Sequence, residues 1–299
     1  METEKLPFND ADIPDRINQV HDLPILCNAI GQVWENISED GMASVEELAS
    51  LIRYDQILAA KVLRAANSTI FGKRKQILTL DEGIEFIGTE KVRSICLSSL
   101  LKCLISDREK IDASLKESFW KHSYLSARIA SMIVQKRTWV STQQAYILGL
   151  IHDIGRTAAA TCFSESYRFL EDLARARKIP VWHVECQYGF SHTQLGLWLA
   201  IKWGLPEVFQ NVIAFHHLPE KTKKFRPEVK LIHLADILAN ADHYPELIWD
   251  KVTLSSLRDL YISEGEWEDC IQSLGNIKDE AEQIWNMVGQ ERTGDGAFS

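Results

Sequence analysis

Histidine and aspartate side chains interrupt the apolar faces of successive segments of this 299-residue chain. In "FWKHSYLSARIASMIV", His122, Leu125, Ile129 and Ile133 recur at helical spacing. In "LGLIHDIGR", read as one continuous helix, Leu148, Ile151, His152 and Gly155 share a face with Ala159 beyond it, and Asp153 lies about 100° further round. His192 heads "HTQLGLWLAIKW", whose inner face continues through Leu195, Gly196, Leu199 and Trp203. In "LPEVFQNVIAFHH", Val208, Val212 and His216 share a face and His217 follows directly. "RPEVKLIHLADILANAD" sets Asp236 in a stripe with Val229, Ile232, Ile237 and Asn240.

A single inward histidine is ordinarily a core residue satisfied by one hydrogen bond. Seven inward imidazoles and carboxylates on consecutive helices are a donor set. Helices of a bundle build metal sites from facing side chains in this way. With no thiolate in the set, the chemistry suits Fe, Mn, Zn or Ni. The expectation is one or two divalent transition-metal ions held by His122, His152, Asp153, His192, His216, His217 and Asp236. The bland alternative is a scaffold whose polar groups bond one another, which would leave several of them unsatisfied or neutral. His21, His183 and His243 fall in loops or at helix ends and read as bystanders. His233, three residues before Asp236, reads as packing, with a supporting role behind the ligands as its alternative.

The elements that must position these residues are helices throughout. Apolar residues recur at helical period and no segment alternates like a strand, so the fold class is all-α, a multi-helix bundle of an N-terminal helical half packed on a second half. Helical patterns cover much of 14–37, a capping-box pattern (Ser44, Glu47) opens the next helix, and a pair of helices breaks near Gly88. Pro206 suits a first helical turn. Trp267 and Trp285 lie on further helical patterns in 254–289. The expected division is 14–115, 116–245 and a C-terminal extension with a frayed tail over 246–299.

The formal charge of −9 argues against a broad phosphate-binding face, so no nucleic-acid partner is expected, and the short basic runs at 73–75 and 221–226 read as solvated loops. The six cysteines have no CxxC spacing, and several, such as Cys96 in "SICLSSL", sit among apolar neighbours and read as reduced core residues. An acidic, polar start and the lack of any apolar run near the roughly 20 residues of a span predict a soluble, cytoplasmic protein with no membrane partner.

The order H(122)…HD(152–153)…H(192)…HH(216–217)…D(236) resembles the ligand series of the HD superfamily of metal-dependent phosphohydrolases, as ordered in its HD-GYP branch. "LIRYDQILAAKVLRAANSTIFG", with "FWKHS", "LGLIHDIGR", "HTQLGLWLAIKWGLP" and "AFHH", is similar to the HDOD domain, a bacterial regulatory relative of those proteins, over about residues 14–245. The HD-GYP resemblance implies a helical bundle with two or three metal ions, the seven residues above as ligands, and Asp153 as a bridging carboxylate. That branch hydrolyses cyclic di-GMP. It has a glutamate and a Gly-Tyr-Pro stretch after the paired histidines, where this chain runs into "LPEKTKKFRP", and a lysine where this chain has Arg156. Asp55-Gln56 stands where HDOD domains usually have Asp-Pro. The HDOD resemblance implies a signalling module with a retained metal site, acting through signalling proteins or a nucleotide or phosphorylated ligand. The alternative is an active phosphohydrolase on a phosphomonoester or nucleotide, with Asp153 and Arg156 as its catalytic residues.

Overall fold

A computed structural model of the chain describes residues 111–202 and 204–289 and, before them, 62, 65–67, 77, 79–89, 91, 92 and 95. The helices expected over 14–37, the Ser44 capping box, the Asp55-Gln56 pair, His21 and the basic run at 73–75 lie outside the described residues. Those that are described form helices, turns and loops, and no strand occurs among them.

α1 (Leu80–Ile87) starts where the Thr79 side chain accepts from the Glu82 amide, and it ends at Gly88, whose φ of +90° disfavours any side chain. Asn67, from "ANS", uses its side-chain amide as backbone would, donating to the Ile77 carbonyl at 2.7 Å and accepting from its N–H at 3.0 Å. Val62, Ala65, Ala66, Ile84, Ile87, Val92 and Ile95 form one buried cluster, and residues 111–284 supply a second, larger core.

The centre of that larger core is α2 (Ala113–Val134), which Asp112 caps through the Ser114 amide. α2 packs on α3 (Thr142–Ile151), α9 (Arg226–Ala239) and α11 (Glu264–Gly289). A reciprocal capping box of Ser141 and Gln144 starts α3, whose body is buried nearly all round. α4 (Ile154–Cys162), α5 (Ser164–Arg177) and α6 (Val181–Gln187) follow. α7 (His192–Lys202) lies between α4 and α8 (Glu207–Phe215), and α10 (Lys251–Asp259) packs on α9. Pro206 caps α8 and so stands one position before its first turn.

One expectation needs correcting. "LGLIHDIGR" is not one helix: α3 ends with His152 as its C-cap, Asp153 takes φ −100° and ψ 17°, and α4 begins at Ile154. A straight helix would turn these two side chains 100° apart. The break lets both face the same point. Of the described cysteines, Cys270 is buried, Cys162 half-buried and Cys186 exposed. No helix among the described residues is long and apolar enough to cross a membrane.

The C-terminal helices are anchored rather than loose. Trp267 is fully buried and donates to the Ile248 carbonyl, and Trp285 packs on Trp120. Arg137 grips both carboxylate oxygens of Glu266 at 3.1 and 3.2 Å, and Ser263 donates to the same carboxylate. Arg137 first, then Ser263, hold the Glu266 carboxyl down to about 2. Its folded value lies below the usual 4.5, so the stability it contributes is present above that value and is lost as pH falls towards 2. Glu266→Gln is expected to lower Tm at neutral pH by about 2 °C. The difference from wild type should close between pH 4.5 and 2 in thermal melts across that range.

Candidate metal centre

All seven residues singled out in the sequence meet inside the larger core. α2 brings His122, the α3–α4 junction His152 and Asp153, and the first residue of α7 is His192. The end of α8 supplies His216 and His217, and α9 supplies Asp236. Their donor atoms form two adjoining groups, His122–His152–Asp236 and Asp153–His192–His216–His217. Asp153 stands between them: Oδ1 lies 3.2 Å from His192 Nε2 and 3.5 Å from His216 Nε2, and Oδ2 lies 3.4 Å from His122 Nε2. Asp236 presents Oδ1 to His122 Nε2 at 3.1 Å and Oδ2 to His217 Nδ1 at 3.3 Å.

Two glycines make this convergence sterically feasible. A Cβ on Gly155 would stand 1.9 Å from the His192 carbonyl oxygen, so α4 meets α7 backbone to backbone behind the site. A Cβ on Gly149 would fall 2.7 Å from the Ala127 Cα, where α3 crosses α2.

The hydrogen bonds behind the imidazoles settle which nitrogens face the centre. His152 Nδ1 lies 2.7 Å from the Gly149 carbonyl, and His216 Nδ1 lies 3.1 Å from the carbonyls of Val212 and Ile213. A carbonyl only accepts, so each Nδ1 carries the proton. In the neutral ring Nε2 then presents a lone pair inward. His192 is held likewise, its Nδ1 donating to Glu185 Oε2 at 2.6 Å. These lone pairs point at the other imidazoles and at carboxylate oxygens: the His152 Nε2 lies 3.3 Å from the His122 Nε2, and the His192 Nε2 lies 3.2 Å from the His217 Nε2. His216 Nε2 and Asp153 Oδ1 are buried without a hydrogen bond. Buried acceptors facing acceptors are costly unless a cation or a proton stands among them.

The electrostatics shows the proton solution. Burial pushes the Asp153 carboxyl up, but the His152 charge, the facing imidazoles of His192 and His216 and the Arg156 guanidinium outweigh it and hold the group well below the usual range. Asp236 is held down similarly against its burial, by His122, His152 and His217. Burial depresses His192, yet the carboxylates of Glu185 and Asp153 raise it to about 10. Burial keeps His216 low and His217 well below its usual value, so those rings stay neutral. A divalent ion replaces such protons and satisfies the orphaned Nε2 as well, so the residues fit the metal.

Several residues support the ligands, and one of them, Glu185, was not singled out in the sequence. Glu185, buried on α6, accepts from both the ring and the main-chain N–H of His192 through Oε2. Asn240 donates to Asp236 Oδ1 at 3.0 Å. Arg156 donates to Asp153 Oδ2 at 3.1 Å and to Glu171 Oε1 at 2.7 Å, with its guanidinium over the Phe119 ring. Buried acidic residues flanked by helical polar runs give no signal to a periodicity reading; only their partners reveal them. His233 turns its Nδ1–H to the His216 carbonyl at 2.8 Å, so it supports the paired histidines from behind. His183 stacks on Trp182, whose other ring neighbour is His217, and His243 lies in the turn after α9. The centre adjoins a cavity of about 710 Å³ whose walls include Lys121, Lys178, Trp182, Tyr244 and Leu247.

Comparison with known proteins places this geometry. The family model for the HDOD domain matches residues 23–219. An uncharacterized protein of Treponema pallidum (strain Nichols) is 24% identical over 229 residues, which is 76% of this chain and 43% of that protein. The chain thus spans less than half the length of that curated relative. The crystal structure of an HDOD domain protein from Geobacter sulfurreducens superposes with a TM-score of 0.75 at 21% identity, covering 92% of this chain and 97% of that one. A Marinobacter aquaeolei VT8 protein, provisionally named a signal transduction protein, gives 0.72 at 16% identity over 95% of this chain and 67% of its own. At these identities the two likenesses establish the fold.

Proposed function

The chain belongs to the HDOD domain family, and from that premise we propose that it is a bacterial signal-transduction module organised round a centre for two divalent transition-metal ions. One observation carries the reading: imidazole rings whose Nδ1 protons are fixed outward, leaving Nε2 lone pairs aimed at buried carboxylate oxygens. His122, His152 and Asp236 would hold one ion and Asp153, His192, His216 and His217 the other. Bound there, the ions supply Lewis acids to an anionic oxygen, which suits a nucleotide or other phosphorylated ligand. The protein's own residues hold that chemistry in place. Arg156 and Asn240 fix the two carboxylates, Glu185 fixes His192, and Trp182 shields the His217 ring. α9 carries Asp236 and packs on α10 and α11, so occupancy of the centre would bias the surface those helices offer to a signalling protein. The provisional name of the Marinobacter relative supports the same reading.

The test is metal content, by elemental mass spectrometry, of protein purified without chelator or metal-affinity resin. The expected result is close to two equivalents of Fe, Mn, Zn or Ni. Folded protein that neither retains nor takes up metal would leave the histidines as proton-sharing core residues and end the proposal.

The cavity against the centre favours a second reading, an active phosphohydrolase. Turnover of a phosphodiester or nucleotide by metal-loaded protein, lost in Asp153→Ala, would establish it. Arg156 weighs against its expected part as a phosphate holder, because Asp153 and Glu171 already engage both of its terminal amino groups.

A further inference from the structure

The two ligand groups are unequal in what stands behind them. The four-residue group has three imidazoles and Asp153. Its His192 is backed by a buried carboxylate, Glu185, whose Oε2 takes the ring N–H at 2.6 Å and the main-chain N–H at 3.0 Å. A carboxylate behind a ligand histidine raises its basicity and fixes its ring, and losing such a group typically weakens metal affinity about 10- to 100-fold. Among the described residues the three-residue group has no such carboxylate. There His152 is backed by the Gly149 carbonyl alone, and the polar contacts of His122 are all made by Nε2. Asp236 is backed by the neutral amide of Asn240.

We propose that Glu185 is a positioning residue that makes the centre asymmetric: the Asp153–His192–His216–His217 group retains its ion, and the His122–His152–Asp236 group holds an exchangeable ion that an anionic ligand from the cavity joins. The inference rests on the metal-centre reading above. It makes loading of the second group the regulated event, since only that ion's occupancy changes with metal supply.

The experiment is a Co(II) titration of metal-free full-length protein against a chromophoric chelator, with folding followed by circular dichroism. Wild type should load in two steps of different affinity. Glu185→Gln, which keeps the side chain's shape and an acceptor oxygen, should weaken the tighter step about 10- to 100-fold and leave the weaker one in place. His152→Ala should abolish the weaker step and spare the tighter, which tests the assignment even if the Glu185 variant fails to fold. Two steps with the tighter one lost in His152→Ala, or a single step in wild type, would overturn the asymmetry and leave the centre standing. No uptake by wild type would overturn both. Equal weakening of both steps in folded Glu185→Gln would assign Glu185 a general structural role and sink the proposal.

Discussion

Asp153→Ala is expected to empty the whole centre, whereas loss of any imidazole should damage one half of it. The reason is position. One oxygen of Asp153 faces His192 and His216, and the other faces His122. Removing the carboxylate takes a ligand from each side and leaves Asp236 as the one carboxylate among the seven ligands to draw an ion in. Uptake should fall at both steps by at least about 100-fold, the upper end of what even a supporting group contributes. Competition titration against a chelator reads this directly. Survival of one full-affinity step in the variant would show that Asp153 serves a single ion. Protons compete for the same groups, and the sign follows from His192. Its folded value of about 10 lies above the usual 6.5, so in the metal-free protein its pairing stabilises fully below 6.5 and is lost as pH rises through 10. An ion must displace that proton. Wild-type metal affinity should therefore rise with pH, by about tenfold per unit for each proton displaced.

The ligand series was legible in the sequence because a polar residue on an apolar stripe is conspicuous. His122 among Leu125, Ile129 and Ile133, or Asp236 among Val229, Ile232 and Ile237, needs no tertiary knowledge to be noticed. The all-helical fold followed from the same period. Other features were hidden by what periodicity cannot carry. The break between His152 and Asp153 has no proline to mark it, and the close backbone approach at Gly155 that accompanies it is a tertiary fact. Glu171 sits among the many charges of "SESYRFLEDLARAR", and nothing in that run shows that α5 turns this glutamate onto Arg156. Glu185 lies seven residues before His192 on a different helix, and only the turn between α6 and α7 brings the two together. Asn240 was placed on the apolar stripe and proves to be bonded to Asp236.

Arg156→Met is expected to cost about 3–5 kcal/mol of folding stability, the range for removing one partner of a buried ion pair. Arg156 bridges two carboxylates, at 3.1 Å to Asp153 and 2.7 Å to Glu171, and all three side chains are under 15% exposed. Burial opposes its charge, but Glu171 above all holds the guanidinium well above its ordinary value, so it stays charged throughout. Methionine would keep much of the packing on Phe119 and leave Glu171 buried with no cation. If that stranded charge is the main cost, Arg156→Met with Glu171→Leu should recover most of the loss in urea denaturation, and the double-mutant cycle should show strong coupling. Asp153 would still lack its outer support, so the double variant should fold well while binding metal about tenfold more weakly. The opposite pattern, near-wild-type stability in Arg156→Met with loss of inorganic phosphate binding, would return Arg156 to the phosphate-holding role its place in the sequence suggests. The two patterns divide a residue that shapes the metal's ligand from one that meets the substrate, which is also the division between the signalling and hydrolytic readings.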